Sequence, residues 1–207
     1  MLSLYEKIKI RLIILFLLAA LFCACISYAQ IRVQERLPKS KTGFALTTAK
    51  TRAKIYYDVN DALVIKRSAE LFARDIQMVT GQKPELIQKR ERAKALVIVG
   101  TIEKNQWICE LAQKGKIDIR PLQGAWERYL IQTVDNPSPG VAKALVIAGS
   151  DRRGAAYGLF SISEMMGVSP WYWWGDVPVK THKALYVDAP PTYSKTPSVK
   201  YRGIFLN

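Results

Sequence analysis

The sequence predicts an α/β fold, a mixed sheet with packed helices, and three observations predict it. Residues 95–101 and 144–150 are two nearly identical apolar runs, Ala95-Leu96-Val97-Ile98-Val99-Gly100-Thr101 and Ala144-Leu145-Val146-Ile147-Ala148-Gly149-Ser150. Continuous apolar runs of this length are typical of strands buried on both faces. Each ends in glycine plus a hydroxyl residue and leads into a helical pattern, so the pair reads as two βα units with central, largely parallel strands. Secondly, Ile65, Ala69, Phe72, Ile76 and Val79 step by four, three, four and three, which puts them on one helical face. Thirdly, residues 128–134 alternate in polarity and end in a turn rich in Asp, Asn, Pro and Gly. They read as a more peripheral, antiparallel strand.

Taken in order, the chain opens with a secretory pattern. Lys7, Lys9 and Arg11 precede the apolar run 12–22, and Ser27, Tyr28 and Ala29 offer a cleavage site before Gln30. The run is too short for a comfortable bilayer span, which takes about 20 residues. Residues 1–29 are therefore expected to be a signal peptide and the protein to be exported, periplasmic or extracellular. Residues 30–52 read as a loosely held leader with a short strand at 44–47. Residues 53–57 are the first strand, and Asp58 to Asp61 are placed to cap the helix that follows. Gly81 and Pro84 stop that helix. A short strand at 85–88 and a charged turn lead to the first apolar run. Trp107, Ile108, Leu111 and Ala112 then form a helix ended by Gly115, and Ala155, Leu159, Ile162 and Met166 form another ended by Gly167. Residues 183–187 are a last strand. Pro190, Pro191 and Pro197 make 189–198 a stiff linker, so the α/β domain is bounded at 53–188.

The formal net charge of +14 falls to +12 once the signal takes Lys7, Lys9 and Arg11 away against Glu6. Such an excess can attract nucleic acid, an acidic surface or an acidic polysaccharide, but a plain solvated basic surface is the favoured reading. The basic residues are scattered, and no nucleic-acid-binding motif accompanies them, so no nucleic acid is expected. Cleavage removes Cys23 and Cys25, leaving Cys109 alone, and His182 is the only histidine. No disulfide, zinc cluster or metal site is expected from such a set.

The stretch 168–179 holds four consecutive aromatics, Trp171, Tyr172, Trp173 and Trp174, between Pro170 and Gly175. A rigid extended loop is expected there. Its rings serve either as a wedge against another domain or as a wall for the apolar face of a sugar. The junction Gly149-Ser150-Asp151-Arg152-Arg153-Gly154 lacks the phosphate-loop lysine and the dinucleotide glycine spacing, and Asp151 reads as a helix cap. Glycosidic hydrolysis usually needs two carboxyl groups, and Glu127, Glu164 and Asp176 show no pairing along the sequence.

These three motifs in this order, the glycine-arginine junction, the aromatic loop and Tyr201-Arg202-Gly203-Ile204-Phe205-Leu206-Asn207, resemble the N-terminal region of glycoside hydrolase family 115. The resemblance runs from about Ala53 to the last residue. It implies a xylan α-1,2-glucuronidase that removes glucuronic acid or its 4-O-methyl form with inversion and needs no cofactor. Its partners are then glucuronoxylan and the chain's own following catalytic barrel. Residues 199–207 would begin that truncated (β/α)8 barrel, with Asn207 at the functional end of its first strand. In the family an acidic pair directly follows this asparagine, and the sequence stops short of it. No catalytic residue is therefore assigned within 1–207. Trp173, Trp174 and Asn207 are the substrate-binding candidates. The residues by themselves leave two other readings open: a carbohydrate-binding module that stacks sugar on the aromatic loop, and the accessory domain of another barrel glycosidase such as a hexosaminidase.

Overall fold

The computed structural model describes residues 9, 30–172 and 175–203. Most of the signal expected over 1–29 and the barrel strand expected to run on through 204–207 lie outside these residues. The two apolar runs are immediate neighbours. β5 (Ala93–Thr101) lies parallel to β7 (Val141–Gly149), with Leu96 opposite Ala144 and Thr101 opposite Gly149. β3 (Lys54–Tyr57) pairs parallel with β5, and the short β4 (Leu86–Ile87) pairs parallel with β3. β6 (Tyr129–Ser138) runs antiparallel to β7, as the alternation predicted, and β9 (Thr192–Tyr193) runs antiparallel to β6. The resulting mixed sheet has the order β4-β3-β5-β7-β6-β9.

Because successive side chains of a strand point to opposite faces, each apolar run serves two cores. Val97, Val99, Leu145 and Ile147 meet α1 (Leu63–Thr80) and α3 (Arg152–Met165), whereas Leu96, Ile98, Val146 and Ala148 meet α2 (Gln106–Gln113). The five residues that predicted α1 are all fully buried. Gly81 ends α1 in the left-handed region at φ 71°, and its N–H donates to the Gln77 carbonyl, the usual glycine stop.

Four local expectations are corrected. The leader is part of the fold. β1 (Arg32–Gln34) and β2 (Gly43–Thr47) flank β8 (Leu185–Asp188) in an antiparallel sheet of order β1-β8-β2, and Phe44 and Leu46 are fully buried in the core of α1 and α3. Two apolar side chains two positions apart are enough to bind a short strand once a partner is present, and the partner lies far along the chain. The Pro-rich stretch is likewise held: Ala189 is fully buried and accepts from Thr133 N–H at 2.8 Å, and Thr192 and Tyr193 add β9 to the sheet edge. Asp58 and Asp61 do not cap α1, whose N-cap Ala62 offers no side-chain capping bond. Each carboxylate keeps one local bond, Asp61 accepting from Ala62 N–H at 2.8 Å and Asp58 from Asn60 N–H at 3.0 Å. Their other oxygens accept from Thr101 N–H at 2.7 Å and Gln106 N–H at 3.3 Å respectively, tying the end of β3 to the turn into α2. Finally, Pro170–Tyr172 is a single 3-10 turn and not an extended segment. Gly175 N–H closes it onto the Trp171 carbonyl at 2.7 Å.

Candidate functional site

The junction between β7 and α3 is built around Asp151. One carboxylate oxygen accepts from Arg153 N–H and Gly154 N–H at 2.9 and 2.8 Å, and the other accepts from Glu127 N–H at 2.7 Å. Asp151 is the helix cap its sequence position predicted. With its oxygens already on the helix donors, this end of α3 has no vacant anion seat.

That arrangement places Glu127 at the same junction, in the left-handed region at φ 55°, with its side chain only 5% exposed. Arg153 bonds Glu127 at 2.9 Å, and Arg202 bonds its other oxygen. The bond from Arg153 holds the Glu127 carboxyl below the usual carboxylate range. Burial opposes this and Arg202 reinforces it. A carboxylate held ionised between two guanidinium groups cannot donate a proton near neutrality, so Glu127 is an anchor and not a general acid. Arg202 also lies over the Trp126 ring at 5.7 Å. Residues 199–203, the entry to the segment that follows, are thereby fixed to the domain. Glu127→Gln is expected to loosen them. Trypsin should then cut after Arg202 several-fold faster, read by mass spectrometry, because an ionised donor pair is stronger than a neutral one. Unchanged nicking would show that the two ion pairs do not hold the segment.

From Tyr157 a mixed aromatic and polar strip runs along α3 toward the aromatic turn. Tyr157, Phe160 and Glu164 recur at helical spacing and share a face, and Tyr157 and Phe160 are both substantially exposed. With Arg74 and Met78 of α1, and Val168, Pro170 and Tyr172 beyond α3, they line a cleft of about 460 Å³. At its far end Trp171 is 65% exposed. Exposed rings at the turn, a cleft beside them and an anchored exit segment make one continuous face.

Asp75 and Ser163 join α1 to α3 beneath this cleft. Asp75 is 5% exposed and accepts from the Ser163 hydroxyl at 2.7 Å. Burial pushes its carboxyl above the usual value of 3.8, against the lowering effects of Ser163 and Arg74. The folded protein therefore keeps the Asp75 proton to higher pH than the unfolded chain does. Its contribution is most favourable below the unfolded pKa and is lost as pH rises through the raised folded value. Asp75→Asn is expected to melt progressively above the wild type as pH rises from the unfolded carboxylate value of about 4 toward neutrality, with the gap closing in acid. A gap that is flat across this range would refute the assignment.

Of the predicted substrate contacts, Trp173, Trp174 and Asn207 all lie outside the described residues; their neighbours Trp171 and Tyr172 stand at the exposed end of the face. Sequence reading missed the strip, although the spacing of Tyr157, Phe160 and Glu164 was available. It also missed Glu127 as a hub, for which no linear signal exists. Cys109 is partly buried and its thiol donates to the Ile102 carbonyl at 3.2 Å. Burial raises that thiol's pKa, which fits a packing residue and not a nucleophile.

No family model matches the sequence, and no curated protein matches it. Solved structures do. A family GH115 4-O-methyl-α-glucuronidase with specificity for decorated arabinogalactans aligns with a TM-score of 0.59 at 28% identity, covering 76% of this chain and 19% of that one. CpGH84D aligns at 0.46 and 11% identity, over 78% of this chain and 22% of that one. A GH20 β-N-acetylhexosaminidase from Streptomyces coelicolor A3(2) aligns at 0.40 and 13% identity, over 82% and 25%. The last two are too distant to carry an argument. The chain spans about a fifth to a quarter of the length of these structures, and it shares its fold with part of a glycosidase.

Proposed function

We propose that the chain is the N-terminal α/β portion of an exported xylan α-1,2-glucuronidase. The enzyme hydrolyses glucuronic or 4-O-methylglucuronic acid from the polymer with inversion. In this reading 1–29 is the signal and residues 199–207 begin the catalytic barrel. The α/β domain packs its α3 face and aromatic turn against that barrel. The acid and base lie beyond Asn207. The observation that carries the reading is 28% identity over 76% of this chain to part of a glucuronidase, joined to three sequence motifs in matching order. The exposed anchor at Arg202 and the open face beside it support a docking role for the domain. No cofactor enters the reaction, since a pair of carboxyl groups suffices for inversion.

That neighbour's own specificity is for decorated arabinogalactans, so the polymer bearing the uronic acid is the variable to test. The 207-residue chain and the same chain continued through its reading frame should be assayed side by side. Released 4-O-methylglucuronic acid is measured from glucuronoxylan and from decorated arabinogalactan. The expected result is release from glucuronoxylan by the continued chain and none above a mock preparation by residues 1–207 alone. Turnover by the short chain, or none on either polymer by the long one, overturns the proposal.

One observation favours a second reading. Trp171, 65% exposed, is available as a stacking platform for a non-catalytic carbohydrate-binding module. The module reading requires the 207-residue chain to bind neutral xylan by calorimetry and to lose that binding in Trp171→Ala.

A further inference from the structure

The opposite end of the sheet carries a groove that the docking role leaves unused. Arg92 and Lys94 stand where β5 begins, Lys114 and Lys116 follow α2, and the turn between β6 and β7 closes the far side. The groove is broad and open to solvent, with a volume of about 740 Å³. Four cations line it and no carboxylate does. The nearest acids are engaged elsewhere: Glu91 with Lys54 at 2.7 Å, Glu110 with Arg90 at 2.6 Å, and Asp135 with Lys143 at 3.1 Å. Arg92, Lys94 and Lys114 are exposed; Arg92 and Lys94 form no ion pair among the described residues, and Lys114 lies within electrostatic reach of Glu110. Lys116 is pinned by a bond to the Asn136 carbonyl. Pro139 and Gly140, exposed on the turn between β6 and β7, give the groove an apolar wall beside the cations, while Pro137 and Val141 are buried beneath it. The stem of Arg92 lies so close to the turn that a Cβ on Gly140 would sit 2.9 Å from its Cγ.

An apolar wall with a cationic rim suits a pyranose that carries a carboxylate. The ring packs on the wall, and the charge meets the exposed guanidinium of Arg92 and ammonium of Lys94. We propose that this groove is a non-catalytic binding site for uronic-acid-bearing polysaccharide. Its preference for an anion rests on the groove itself, and the identity of that anion as a uronic acid rests on the glucuronidase reading. β7 separates the groove from the Arg202 anchor by its whole length, about 26 Å at roughly 3.3 Å per residue. Polymer held there and a domain docked on the α3 face do not compete.

The test is affinity electrophoresis of the 207-residue chain through glucuronoxylan, carboxyl-reduced glucuronoxylan and polygalacturonate. Both charged polymers are expected to retard it and the reduced polymer not to. Lys94→Glu with Lys114→Glu should weaken binding roughly tenfold, whereas the charge-matched pair Lys39→Glu with Lys183→Glu should stay within about twofold. Should the first pair fail to fold by circular dichroism, Lys94→Gln with Lys114→Gln gives the same reading with a smaller loss. Equal retardation by the reduced polymer, or equal loss in the control pair, overturns the proposal, as does single-stranded DNA binding tighter than either polyuronate. Polygalacturonate separates the two ideas. Failure to bind it overturns the groove. Binding it while the continued enzyme releases no glucuronic acid supports the groove and removes only the glucuronidase reading.

Discussion

Gly154→Ala is expected to cost about 3 kcal/mol of stability, at the upper end of what overpacking does. A Cβ on Gly154 would lie 2.1 Å from the Arg128 carbonyl oxygen and 3.0 and 3.2 Å from that residue's backbone carbon and nitrogen. Every colliding atom is backbone, so no side chain can swing aside. The Arg128 carbonyl is also the acceptor for Ser150 N–H at 2.8 Å, and moving it would break the link between β6 and the start of α3. For a domain of ordinary marginal stability, about 5–15 kcal/mol, such a loss is large. Urea unfolding should be run beside Gly115→Ala, where φ is 66° and nothing lies within 4 Å of the added methyl. That control should lose only about 1–2 kcal/mol, the cost of left-handed backbone for an L-residue. Equal midpoints for the two variants would show that α3 does not approach β6 this closely.

In the longer glucuronidase proposed above, Trp173→Ala or Trp174→Ala is expected to lower kcat/KM about tenfold, near 1.4 kcal/mol, with little change in melting temperature. This outcome is proposed from the setting of the two residues. They follow an exposed Trp171 and a partly exposed Tyr172 at the end of an open face. An exposed ring such as Trp171 normally meets another surface, and in the enzyme proposed above a barrel with sugar at its rim supplies it. Trp171→Ala in the 207-residue chain should change stability by no more than about 0.5 kcal/mol, as exposed substitutions usually do. A buried aromatic cut to alanine would instead cost about 3–5 kcal/mol. Should all three substitutions lower only the melting temperature of the long enzyme, the loop is a structural wedge and its sugar contact is wrong.

The sequence by itself determined the elements whose signals are local. α1 was legible because five apolar residues at helical spacing bury one face, and all five are fully buried. β5 and β7 were legible as doubly buried strands because each run has apolar side chains for both faces. The antiparallel sense of β6 followed from its alternation, and the helix cap at Asp151 from its place after a strand. Only the tertiary structure decided what depends on partners far along the chain. The short strand expected at 44–47 is found as β2, but 32–34 carry no signal of their own and become β1 only because β8 pairs with them. The Pro-rich stretch becomes an edge strand because β6 offers Leu130 and Ile131 as partners for Tyr193 and Thr192. Asp58 and Asp61 sit where a cap is expected, yet the donors of Thr101 and Gln106, brought near by the parallel pairing of β3 and β5, take one oxygen of each carboxylate. Glu127, Arg153 and Arg202 are dispersed in sequence and meet only when α3 packs beside β6. Linear spacing fixes which face a side chain takes along its own element. Which opposing charge or edge it meets is set by how the elements pack against one another.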